Sequence, residues 1–277
     1  MKTINTLKKV SLATFLTFVL SFSSVFAQND TMYIMKSGAI VGQYNVNTEV
    51  DSVIFYKPTI EETTSGTFID SRDGNEYNWV QIGDQVWMAE NLAYLPSVNM
   101  VADGSEDAAG SYYYVYGYDG TNVADAKATD NYATYGVLYN WTAAMDGEAS
   151  STTNPSGIQG VCPAGWHLPS YAEWTELTDY LGETVAGGKL KETGTTHWNS
   201  PNTGATNETG FTALPGGYRS VNGTFYDIGY YGYWWSATEY DAAVAWYRSM
   251  CYGNDYVDRG SLGSFKEVGF SVRCVRD

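Results

Sequence analysis

The residues of this chain with the most chemistry in them are few: His167 and His197, the cysteines Cys162, Cys251 and Cys274, and the glycine pairs Gly187-Gly188 and Gly216-Gly217. A catalytic triad needs a histidine beside a nucleophile, and a zinc site needs clustered ligands. Neither histidine has an HxH, HExxH or CxxC neighbour, so both read as structural or surface residues. A phosphate-cradling loop needs a Lys-Ser or Lys-Thr step after its glycines, and neither pair has one, so both read as turns. No catalytic residue, metal site or cofactor is expected, and the chain reads as a non-enzyme.

The cysteines must be read together with the leader. Lys2, Lys8 and Lys9 precede an apolar stretch from Val10 to Phe26 that ends in Val25-Phe26-Ala27, the pattern of a secretory signal peptide cleaved near Ala27. In an oxidising compartment three cysteines imply one bridge and one leftover thiol. Cys162 and Cys274 are the expected pair, because both lie in apolar, aromatic-flanked segments while Cys251 lies among small polar residues. Closing a loop of about 110 residues is worth roughly 4 to 5 kcal/mol in the chain-entropy account. Cys251 is then free or pairs between molecules.

No run after the leader approaches the roughly 20 apolar residues of a membrane span, and no cysteine follows the cleavage site to carry a lipid. The expectation is a protein secreted or held at the outer cell surface. Fifteen basic residues stand against 31 acidic ones, a net charge of −16, and loss of the three leader lysines takes this to about −19. Such a field disfavours nucleic acid and anionic membranes as partners. Solubility explains the acids better than calcium does, since no spaced Asp/Asn loop closes on a Glu.

The elements that position these residues follow from pattern. Within residues 28–57, Met32 to Tyr56 reads as a small β unit: Tyr33-Ile34-Met35, a turn at Ser37-Gly38, Ala39-Ile40-Val41, then Val50 to Tyr56. Residues 58–66 read as a linker and 67–277 as the main domain. One helix is clearly signalled, with Ser170 and Glu173 as a capping box, Trp174, Leu177 and Leu181 on one face, and Gly182 as the stop. Cys162 to Pro169 reads as a rigid approach to that helix. Strands are expected at Phe211–Leu214, Tyr233–Ala237, Val244–Tyr252 and Val268–Val275. The fold class is therefore α+β, with short, mostly antiparallel strands and long ordered loops.

Strand alternation over Trp246 to Ser261 places Trp246, Arg248, Met250 and Tyr252 on one face, suited to a core, and Tyr247, Ser249, Cys251 and Gly253 on the other, read as exposed. After a turn at Gly253-Asn254-Asp255 the chain returns with Tyr256 and Asp258. Tyr and small polar residues are the mixture that binding surfaces favour.

Several motifs carry a resemblance. Asp73-Gly74-Asn75, Gln85 to Leu92, Tyr135 to Trp141, Cys162 to Pro169, Phe211 to Arg219, Tyr233-Trp234-Trp235-Ser236 and the ending Gly269 to Asp277 together resemble the Fibrobacter succinogenes major paralogous domain over about 67–277. The resemblance implies a secreted bacterial domain, largely from Bacteroidetes, with a fold similar to C-type lectins and formylglycine-generating enzymes. It brings no fixed activity. Some relatives resemble variable proteins of diversity-generating retroelements, in which Asn codons are mutated at adenines. Tyr, Ser, Cys, Gly, Asp and Asn are all reachable in this way, and they make up the face read as exposed.

The leading expectation is an extracellular recognition module that binds a protein or glycan ligand through Tyr247, Ser249, Cys251, Gly253, Asp255, Tyr256 and Asp258, with Tyr230 and Tyr231 beside them. A second reading is a glycan-binding lectin or adhesin stacking sugars on Trp198 and Trp234, without a Glu-Pro-Asn calcium motif. A third, an oxidase of the formylglycine-generating kind, needs redox cysteines, and Cys251 lacks a partner if Cys162 and Cys274 are bridged.

Overall fold

Frequent glycines and aromatic residues cut this chain into short strands joined by turns. A computed structural model describes residues 31–36, 39–45, 64–260 and 262–277. The expected signal peptide, the Val50–Tyr56 strand and residues 58–63 of the expected linker lie outside the described residues. The chain divides into two units, 1–60 and 61–277. In the first, β1 (Thr31–Lys36) and β2 (Ala39–Asn45) form an antiparallel hairpin, with an irregularity between Ile34 and Met35.

The second unit opens with β3 (Ser65–Ile69), β4 (Glu76–Ile82), β5 (Gln85–Met88) and β6 (Tyr113–Tyr114). Helices α1 (Val123–Lys127) and α2 (Asp130–Tyr135), strand β7 (Leu138–Tyr139), helix α3 (Trp141–Met145) and strand β8 (Trp166–His167) follow. Helices α4 (Tyr171–Leu181) and α5 (Ala186–Leu190) precede β9 (Gly216–Ser220), β10 (Thr224–Ile228), β11 (Tyr231–Glu239) and β12 (Val244–Cys251). The last strands are β13 (Val257–Asp258), β14 (Ser264–Phe265) and β15 (Val275–Arg276).

One sheet runs β3-β4-β5-β15-β8 and is antiparallel throughout; the other runs β10-β9-β11-β12-β13, with β14 also on β12. Within the second sheet only the β9–β11 step is parallel, at Gly217 and Gly232. This is the α+β, mostly antiparallel architecture that the sequence predicts. No helix among the described residues is long and apolar enough to cross a membrane.

Four expectations change. The glycine pairs read as turns lie inside elements, Gly187-Gly188 in α5 and Gly216-Gly217 at the start of β9. Strand β3 starts at Ser65, inside the expected linker. Phe211–Leu214 is not a strand: Thr212 sits at φ 54°, which breaks extension, and only Ala213 makes a bridge, to Lys191. Val268–Val275 is no continuous strand either. Its backbone passes between elements, bridging Gly269 to Arg219, Phe270 to Tyr139 and Ser271 to Trp234 before β15 begins.

The signalled helix is α4, and its capping box is complete: the Ser170 hydroxyl accepts from the Glu173 amide, and the Glu173 carboxylate accepts from the Ser170 amide. Trp174, Leu177 and Leu181 are buried as predicted. Cys162 and Cys274 are bridged, with Cα atoms 6.0 Å apart, tying the approach to α4 to the C-terminal segment. Two apolar clusters result. One gathers Tyr139, Trp141, Trp235, Phe270 and the disulfide. The other gathers Trp87, Trp174, Trp198, Phe211, Trp234 and Met250.

Candidate ligand-binding face

The second sheet is two-sided because its strands alternate. On β12, Arg248 and Met250 are fully buried toward α4, where Arg248 donates to the Tyr171 carbonyl and the Thr175 hydroxyl and lies 4.1 Å from the Tyr171 ring centroid. Trp234 of β11 joins them on this side, 6.4 Å from Trp174 between ring centroids. The other side carries Tyr247, Ser249 and Cys251, which pair in register with Trp235, Tyr233 and Tyr231 of β11. Ser249 also faces Asp258 of β13, and Tyr218 of β9 faces Tyr226 of β10.

These residues form one aromatic surface. Phe270, Tyr233 and Tyr231 stack in a staircase, at 5.0 Å and 8° for the first step and 5.6 Å and 20° for the second. Tyr218 meets Tyr233 edge-on at 5.2 Å, and Tyr247 lies 5.0 Å from Phe270. Burial deepens from Tyr226 and Tyr231 toward Phe270 and Trp235, so the tyrosines form the open margin of the first cluster. The Tyr233 hydroxyl donates to Asp227 Oδ2 at 2.8 Å. Burial, then this bond, raises the Tyr233 pKa far above the usual phenol range. Tyr231 is pushed up to about 12, first by its hydrogen bond with Cys251. The two hydroxyls are therefore uncharged donors at neutral pH.

The expected surface residues are distributed unevenly. Tyr230, Gly253, Tyr256 and Asp258 are exposed, and Tyr231, Tyr247 and Asp255 are half-buried. Ser249 and Cys251, expected to be exposed, are 6% and 9% accessible. Strand β12 has neighbours on both edges, and large tyrosines cover its small side chains. Asp255 belongs to a packed turn, its carbonyl accepting from the Gly188 amide at 2.8 Å. On the side read as core, Trp246 and Tyr252 are only half-buried; Trp246 sits between Tyr171 and Tyr240, at 5.0 and 4.9 Å.

Beneath the turn after β12, Lys191 Nζ donates to the carbonyls of Thr203, Cys251 and Asn254. Burial pushes this ammonium down to about 8. The disulfide leaves Cys251 as the free thiol of the chain. Trp198 and Trp234, the candidate sugar platforms, are 1% and 0% accessible and so offer no stacking surface. Of the histidines, His167 is buried between Glu173 and Asp277, and His197 pairs with Glu192.

Tyr218, Tyr226, Tyr233 and Asp227 are members of this face that the hairpin pattern alone did not supply. The alternation of Tyr231 and Tyr233 was a signal for two positions of β11, but Tyr218 and Tyr226 reach the face only through the parallel β9–β11 pairing. Elsewhere a cleft of about 580 Å³ lies between β3, β4 and segments 132–136 and 210–214. Its Glu90 carboxylate is already occupied by the amide and side chain of Asn78.

The fold and the face define an α+β domain, tied by one disulfide, with a tryptophan-rich interior under one side of a sheet and tyrosines at the margin of the other. The chain belongs to the Fibrobacter succinogenes major domain family, whose model matches residues 80–276. No curated protein and no solved structure matches it.

Proposed function

We propose that this chain is a secreted or cell-surface, non-catalytic binding module that recognises an extracellular ligand through the tyrosine face. Tyr230, Tyr231, Tyr247, Gly253, Tyr256 and Asp258 make contact; Ser249 and Cys251 form part of the floor, and the Asp255 turn supports the edge. The observation that carries this reading is the asymmetry of one sheet. The strands that bury Trp234, Arg248 and Met250 on one side present tyrosines, part accessible, on the other.

Tyrosine gives large contact area for two side-chain torsions, and its hydroxyl remains useful at a wet boundary. The leader pattern supports export. A paired-cysteine oxidase finds no support, because two of the three thiols are joined to each other. The reading extends to diversification: the contact positions hold residue types interchangeable by adenine-directed change, on a scaffold anchored independently from the opposite side.

Photo-crosslinking tests the binding role. A benzoylphenylalanine in place of Tyr256 should capture a ligand found on an array of extracellular proteins and glycans, whereas one in place of Tyr180, exposed on α4, should not. Capture only from position 180 would sink the reading.

A further inference from the structure

We infer that the tyrosine face takes an arginine-bearing protein segment, seating a guanidinium on the outer ring of the Tyr231 stack beside the Asp227 carboxylate. This rests on the binding role proposed above and gives its partner a chemistry.

The staircase of Phe270, Tyr233 and Tyr231 ends at Tyr231, and among the described residues Tyr233 is the ring stacked on it. A phenol ring carries negative potential on its face and attracts cations there. Asp227 lies beside it in an uncommon conformation. Its φ is 65°, opposite Gly217 at 63°, a left-handed geometry that costs an ordinary side chain energy but that Asp and Asn tolerate. Simple alternation along β10 would send Asp227 to the face opposite Tyr226. Instead its carboxylate reaches Tyr233, which occupies Oδ2; among the described residues no donor reaches Oδ1.

A second carboxylate, Asp258, stands exposed at the far margin with Oδ1 bonded to the Gly260 amide. Among the described residues, no cation forms an ion pair with either carboxylate. Arg259 turns away to Asp179 and Glu183, at 3.3 and 3.1 Å. Arg248 and Lys191 are buried, each held by backbone carbonyls, with Arg248 on the side facing α4.

The surface is thus aromatic, hydroxyl-bearing and anionic, on a chain of net charge −16. That is complementary to a basic partner. Arginine fits better than lysine because its planar fork can stack on a ring and donate to a carboxylate at once.

Titration of the full chain with hexa-arginine and hexalysine peptides at about 150 mM salt tests this. Hexa-arginine should bind several-fold more tightly than hexalysine. The Asp227→Asn/Asp258→Asn variant should lose about tenfold in arginine affinity. A control pair on exposed sites elsewhere, Asp84→Asn/Asp125→Asn, should lose under about twofold. Asparagine keeps the left-handed backbone and the Gly260 bond, and an unchanged melting temperature verifies the fold. Equal affinity for the two peptides, or equal losses in the two variants, would reduce the effect to bulk charge and overturn the inference. If an array ligand is lost on Tyr231→Ala/Tyr247→Ala but not on Asp227→Asn/Asp258→Asn, the arginine assignment falls and the binding role stands. If neither variant matters, both fall.

Discussion

His167 Nε2 lies 2.6 Å from Glu173 Oε1, so the histidine of β8 is joined to the carboxylate that caps α4. The other oxygen of Glu173 accepts from the amides of Ser156 and Ser170, and His167 Nδ1 meets Asp277 Oδ1 at 2.7 Å. One buried carboxylate therefore fastens the helix start, the loop before β8 and the strand that pairs with the C-terminus.

This arrangement makes stability depend on pH. Burial pushes the His167 pKa down, but the Glu173 bond and charge, followed by those of Asp277, outweigh it, and the pKa is raised. A histidine with a raised folded pKa contributes stability that is complete below its unfolded value of about 6.5 and is lost as pH rises through the folded value. As pH rises above about 6.5 the melting temperature should fall more steeply in wild type than in His167→Gln. Parallel curves would show that the pair is not charged in the folded state.

The disulfide should dominate the stability of the main domain. Its 112-residue separation predicts that Cys162→Ser/Cys274→Ser loses about 4 to 5 kcal/mol in urea denaturation. Cys251→Ser should change stability by under about 1 kcal/mol, since it removes neither a bridge nor a large apolar group. A double variant as stable as wild type would mean that the bridge restrains nothing.

Lys191 supports the turn beneath the tyrosine face through three carbonyls. Lys191→Met retains the stem and removes the donors, leaving carbonyls unsatisfied at a cost of about 2 to 3 kcal/mol. Hydrogen exchange should also quicken at the amides of Gly253 and Asn254. Unaltered stability and exchange would show that the ammonium is dispensable to the turn.

Sequencing the 3′ end of the gene across many clones of one strain, with its flanking DNA, checks the diversification reading. Variation is expected at the codons for Tyr247, Ser249, Cys251, Gly253, Asp255, Tyr256 and Asp258, with Trp246, Arg248, Met250 and Tyr252 constant and an adenine-differing copy nearby. An invariant segment without such a copy points to one fixed ligand.

What was legible in the sequence was local. The capping box of α4 lies within four residues, and the cysteine pairing followed from the apolar flanks of Cys162 and Cys274. The short helices α1, α2 and α3 begin at the caps Asn122, Thr129 and Asn140, but five or six residues are too few for periodicity to declare a helix. The apolar run Val268–Val275 has the composition of a strand, yet composition does not say which backbones it will meet. Alternation correctly separated Arg248 and Met250 from Tyr247, Ser249 and Cys251. It could not say how far neighbouring tyrosines would cover the small residues. Asp227 was invisible because a left-handed residue reverses the direction that alternation assigns.

The central claim is that the tyrosine face binds the ligand, and parallel array screening of wild type, Tyr231→Ala/Tyr247→Ala/Tyr256→Ala and Tyr180→Ala tests it most directly. The account predicts that ligands of wild type weaken by about a hundredfold or more in the triple variant and are retained by Tyr180→Ala. The same ligands bound with equal affinity by a folded triple variant would contradict it.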